Sequence, residues 1–160
     1  MASDMFAKIG DIKGESRDAK HKDEIEVLSW SWGVTQSGSL TRGRGGGAGK
    51  ATFQDFTFTH HIDKASPLLM KSCTTGTHIP VATITVRKAG KAQQDYLIIK
   101  MIDVLITGVA LGVAADEPSG AENVTLQSAK VDLEYKAQKA DGSLDAGLHF
   151  NYDIKANKVG

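Results

Sequence analysis

Leu148, Phe150, Tyr152 and Ile154 alternate with His149, Asn151, Asp153 and Lys155, so one side of this stretch is apolar and the other polar, with a period of two. An extended strand, whose successive side chains point to opposite faces, turns that pattern into one buried and one wet surface. The same period recurs along the chain. Asp4 to Ile9 reads as a first strand. In "EIEVLSWSWGVTQ", Glu24 to Gln36, the residues Leu28, Trp30, Trp32 and Val34 share a face that the pattern assigns to the core, and Ser29, Ser31, Gly33 and Thr35 share the other. Thr52 to His61 continues with Phe56 and Phe58 alternating with Thr57 and Thr59. "HIPVATITVRKAGKAQQDYLIIKMIDVLITGV" reads as a hairpin joined at Lys88 to Lys91, with Ala82, Ile84 and Val86 on one face. Glu122 to Ala137 begins with Val124 and Leu126 in one phase and ends with Val131, Leu133 and Tyr135 in the other, which predicts a bulge near Gln127 to Ala129. Seven or so strands argue for a β-barrel or β-sandwich.

One segment breaks the strand pattern. In "IDKASPLLMKSCTTGTH", Ser66 suits an N-cap, Pro67 the first helical position and Gly76 a left-handed C′ residue, which predicts a helix from Pro67 to Thr75. Leu69, Met70 and Cys73 then fall on one side, making Cys73 a small core residue rather than a nucleophile.

At 160 residues the chain has the size of a single domain, 1–160. Nineteen lysines and arginines balance nineteen aspartates and glutamates, so no net field draws it to nucleic acid or an anionic membrane. One cysteine cannot form an internal disulfide, which fits folding in the cytoplasm. The N-terminus carries Asp4, Lys8, Asp11 and Lys13 and lacks the apolar core of a secretory signal. The most apolar stretch is interrupted by Lys100 and Asp103, short of the roughly 20 apolar residues of a membrane span. The charged segment "GDIKGESRDAKHKDE" reads as a solvated connection.

The densest glycine run, "RGRGGGAGK" at 42–50, raises the question of a phosphate site. A P-loop requires GxxxxGK followed by Ser or Thr; here Arg44 stands where the first glycine belongs and Ala51 where the hydroxyl belongs. A GxGxxA pattern on Gly43, Gly45 and Ala48 lacks the following helix that a dinucleotide fingerprint needs. His60, His61, His78 and Cys73 have metal-ligand chemistry but no CxxC or HxxxH spacing, and consecutive histidines on a strand face opposite ways. No GxSxG elbow occurs. These patterns support no cofactor, no metal and no catalysis.

Several segments in order resemble the haemolysin-coregulated protein (Hcp) family of bacterial type VI secretion. They are "MFAKIGDIKGES", "EVLSWSWGV", "GGGAGKATFQDFTFTHHIDKASPLLM", "CTTGTHIPVATITVRKAG", "YLIIKMIDVLI", "SAKVDLEYKAQKADG" and "FNYDIKANK". The resemblance implies a mainly-β chain forming a tight barrel of two sheets with one short flanking helix and a long projecting loop. It implies homo-hexameric rings, stacked into a tube that a contractile sheath propels behind a spike protein, with effector proteins in the lumen. It also implies synthesis in the cytoplasm and export through the type VI system, without membrane insertion. Arg42, Arg44 and Lys50 become a docking loop between rings, with glycines for backbone freedom and cations for partner carboxylates. Ser29 and Ser31, on the small uncharged face of their strand, become lumen-facing. A rival expectation is a free-standing barrel that binds a small ligand inside.

Overall fold

The predicted hairpin is the spine of the fold. In the computed structural model, which describes residues 3–38, 50–88 and 93–160, β7 (His78–Lys88) pairs antiparallel with β8 (Asp95–Gly112). β8 pairs along its whole length with β9 (Ala121–Tyr135). β1 (Ser3–Ile9) adds to the far side of β7, and β2 (Ile25–Glu26) to β1. The free side of β9 is shared. Its first half takes β6 (Phe56–His60), which in turn pairs with β3 (Ser29–Ser31), and its second half takes β10 (Leu148–Asp153), which is followed by β11 (Lys158–Val159). β4 (Val34–Gln36) and β5 (Ala51–Phe53) form a separate two-stranded sheet. The lone helix among the described residues, α1 (Ser66–Thr75), packs on β8.

The mainly-β expectation holds, with a correction to the barrel: among the described residues the strand ladder does not close. Between β2 and β3 the chain passes from one neighbour to the other through single hydrogen bonds, Val27 N–H to the Met5 carbonyl at 2.9 Å and Leu28 N–H to the Thr59 carbonyl at 2.8 Å. This junction also overturns the continuous strand drawn from Glu24 to Gln36. Ile25 and Val27 are buried, Leu28 is 48% exposed, and the inward phase resumes at the half-buried Trp30 and Trp32 before Val34 turns out at 51%. The chain switches phase at Leu28 because it changes hydrogen-bond partner there. Thr52 to His61 is likewise two strands rather than one.

The double phase in β9 is real, but its cause lies elsewhere than predicted. The register across 127–129 is unbroken, with Val104 opposite Ser128 and Ile102 opposite Lys130, and the slip falls in β8 between Ile106 and Gly108. β8 changes phase together with β9, from buried Ile99 and Met101 to buried Val104 and Ile106. Asp103, at φ 56°, absorbs the change between them.

The core is formed by Phe56, Phe58, Leu69, Ile84, Ile99, Met101, Ile106, Val124 and Leu126, each no more than 1% exposed. Burying each such side chain stabilises the fold by about 1.5–3 kcal/mol. α1 contributes Leu69 and half-buried Cys73, while Met70 points out at 40% exposure, a correction to its predicted place. Ser66 is inside the helix rather than capping it, and its hydroxyl accepts from Asp63 N–H at 3.1 Å. Gly76 ends the helix as predicted, at φ 63°, while Thr77 N–H reaches the Ser72 carbonyl at 3.1 Å. A Cβ at Gly76 would meet no atom within 4 Å, so Gly76→Ala isolates the backbone cost alone. A loss of about 1 kcal/mol in urea unfolding is expected; no loss would show that the helix end does not need the left-handed residue.

Candidate functional site

Because β6 covers only the first half of β9, four short strand segments lie side by side there: β3, β6, β9 and the end of β8. Two registered rows cross them. Ser29 pairs with Thr59, Thr59 with Asn123, and Asn123 with Ala110; Ser31 pairs with Thr57, Thr57 with Thr125, and Thr125 with Gly108. Paired residues share a face, so these eight residues form one wall, opposite the layer of Trp30, Phe58 and Val124 that packs into the core. All eight are small and uncharged, and all are exposed or half-exposed. Thr59 Oγ1 donates to Asn123 Oδ1 at 3.1 Å, leaving hydroxyls and an amide still able to bond a visitor.

Beyond 127–129 the outward face changes character. Lys130, Asp132 and Glu134 alternate outward on β9 and face Asp153, Asn151 and His149 on β10. His149 lies between Asp132, 3.0 Å from Nδ1, and Glu134, 3.1 Å from Nε2, and the Asp132 hydrogen bond raises its pKa above the ordinary value. The molecule thus carries a neutral half and a charged half on one outer surface.

Ser29 and Ser31 are therefore brought together with six further residues that the sequence pattern does not join to them. Thr57 and Thr59 were visible as the polar phase of their strand. Gly108, Ala110, Asn123 and Thr125 were not, because single-strand periodicity does not reveal which strands pair. Lys50 is exposed immediately before β5. β4 and β5 form a two-stranded stem, with Val34 opposite Phe53 and Gln36 opposite Ala51. Aromatic contacts tie the stem to β10: Phe53 lies 5.7 Å from Trp32 and 4.8 Å from Tyr152 between ring centroids. Arg42 and Arg44 lie outside the described residues.

Two buried polar clusters were also missed. Arg87, 2% exposed, donates to both carboxylate oxygens of Asp18 at 2.9 and 2.7 Å and to Asp4 at 3.0 Å, with Phe6 beneath it at 5.0 Å. The Arg87 hydrogen bonds hold the Asp18 carboxyl well below the usual range and raise the guanidinium. The segment 10–24 is thus not a solvated connection: Ser16 and His21 are buried, and Asp18 clamps it to β7. His60 and Glu122, both fully buried, form the second cluster at 2.7 Å. His61, as the strand period required, faces outward. Among the described residues, no group of three or more His, Cys, Asp or Glu side chains is arranged to hold a metal, and no helix is long and apolar enough to cross a membrane.

Comparison with known proteins places this architecture. Residues 6–135 match the family model described as "Type VI secretion system effector, Hcp". The chain is 51% identical to Protein hcp1 of Pseudomonas aeruginosa over 98% of both chains. Among solved structures, "Structure of a type six secretion system protein" superposes with a TM-score of 0.93 at 25% identity, covering 99% of this chain and 100% of that one. Hcp1 from Salmonella typhimurium superposes at 0.79 with 37% identity, covering 99% of each. This is a family of structural and secreted proteins, not of enzymes. With the family model spanning most of the chain and a relative of this identity spanning nearly all of it, the chain belongs to the Hcp family of type VI secretion system proteins.

Proposed function

We propose that six copies of this chain close into a ring, that rings stack into the inner tube of a type VI apparatus, and that the neutral wall around Ser29 and Ser31 faces the lumen and receives effector proteins. The observation that carries this reading is the wall itself: eight small, uncharged residues from four strands on a chain in which 24% of residues are charged. A passage that must accept and release cargo is served by short hydroxyls that bond weakly, and hindered by long charged side chains that occupy space and hold water. Arg42, Arg44 and Lys50 belong in this reading to the contact between stacked rings, through pairing with carboxylates of the next ring. The sheath outside the tube, the spike at its tip and export of the protein with the tube complete the assembly.

The rival small-ligand barrel is disfavoured by the interior, which Phe58, Ile84, Met101 and Val124 fill at no more than 1% exposure. Lipocalin-like barrels keep that space open.

Ser31→Gln tests the lumen assignment. The residue is exposed, so the change alters stability by no more than about 0.5 kcal/mol while extending a neutral side chain from the wall. The expected result is intact hexamers that co-purify with markedly less effector. Failure to form hexamers would place Ser31 in an interface, and hexamers that retain and export effectors normally would remove it from cargo binding.

A further inference from the structure

We propose that His60, Asp63 and Glu122 form a proton-operated latch that holds the first turn of α1 against the sheet while His60 is protonated and loosens it when the proton leaves. His60 ends β6 and stands in register with Glu122 of β9; both are fully buried, with Nε2 2.7 Å from Glu122 Oε1. The other ring nitrogen, Nδ1, has no hydrogen-bond partner but faces Asp63 Oδ2 at 3.7 Å. Asp63 in turn organises the helix start. Its Oδ1 accepts the Ala65 N–H at 2.8 Å, its N–H donates to Ser66 Oγ, and its carbonyl accepts the Ser66 N–H at 3.0 Å. A charge on His60 is thus felt at Asp63, which holds Ala65 and Ser66 where the helix starts, one turn before Leu69 enters the core.

The surroundings favour the cation. On the connection to α1, Lys64 is exposed, with its N–H rather than its ammonium bound to Glu15 Oε2 at 2.8 Å. Glu15, Glu26 of β2, His61 and Asp63 line a neighbouring recess of about 160 Å³. His61 points its Nδ1 to the Gly120 carbonyl at 3.0 Å. The end of β8, 104–112, and the first turn of α1, 66–70, carry no charge, and Asp116 and Glu117 on the turn before β9 are exposed acids. Burial pulls the His60 pKa down, but Asp63 and Glu122 push it up and prevail. A histidine whose folded pKa is raised contributes stability that is fully present below its unfolded pKa of about 6.5 and is lost as the pH rises through the folded value. When the proton leaves, Glu122 keeps one neutral donor, its second oxygen has no partner, and the attraction to Asp63 disappears. An unneutralised buried carboxylate is costly.

The test follows the full chain by NMR, reading the His60 ring signals and hydrogen exchange at Leu69, whose N–H donates to the Ala65 carbonyl at 2.9 Å. His60 is expected to titrate above the ordinary histidine value, with Leu69 protection, corrected for intrinsic exchange, falling several-fold from about pH 6 to about pH 9 along the same curve. Asp63→Asn keeps an oxygen for Ala65 but removes the charge, so the His60 midpoint should drop and the pH dependence of Leu69 should shrink. The latch is overturned if His60 titrates at or below the ordinary value, if Leu69 protection ignores the titration, or if Asp63→Asn leaves both unchanged.

Discussion

Phe58→Ala is expected to cost about 3–5 kcal/mol in denaturant unfolding, a large share of the roughly 5–15 kcal/mol that holds a domain folded. Phe58 is completely buried, registered between Trp30 on β3 and Val124 on β9, and surrounded by strands on both sides. Those neighbours belong to continuous hydrogen-bonded ladders, so they have little freedom to collapse into the space left behind. The same substitution should leave the chain unable to present Ser29 and Ser31, because the strands carrying them are held by this layer. A loss below about 1 kcal/mol would mean that the site collapses freely and that the wall does not depend on this layer.

Trp30→Ala should also cost heavily, about 3 kcal/mol, the lower end for an aromatic because Trp30 is only half-buried in the chain. Its ring stacks on Phe56 at 5.5 Å between centroids, an arrangement worth about 0.5–1.5 kcal/mol beyond the area it covers. Leu28→Ala and Val34→Ala, at positions the alternation had grouped with Trp30, should each change stability by about 0.5 kcal/mol or less, since both side chains are exposed. Equal costs at positions 28 and 30, measured by urea unfolding, would restore the uninterrupted strand and contradict the phase switch.

That contrast shows what the sequence made legible. Alternation found β1, the β7–β8 hairpin, β9 and β10 because each stays with fixed neighbours long enough for its pattern to persist. It failed at Leu28, where the chain exchanges β1 for β6, since the period encodes which side of a strand is covered and nothing about a change of partner. The helix was legible from Pro67 and Gly76, whose conformational preferences are local. Its inward side was half legible, with Leu69 correctly placed and Met70 not.

The candidate wall was partly legible for the same reason. Ser29, Ser31, Thr57 and Thr59 stand out as the uncharged phase of two strands, but their union with Asn123, Thr125, Gly108 and Ala110 exists only through tertiary pairing. The ion cluster around Arg87 was hidden behind charge balance: Asp18 looks like one more solvated acid until the segment 10–24 folds back on β7. His60 and Glu122 are 62 residues apart and meet only because β6 and β9 are antiparallel neighbours.

The proposed ring, with the neutral wall lining its passage, requires an assembly of six subunits. Its most direct test is the solution mass of the purified chain by sedimentation or light scattering, joined to electron microscopy of the same sample. A single species of six subunits with an open centre is the predicted result, and a stable monomer across the accessible concentration range would contradict it.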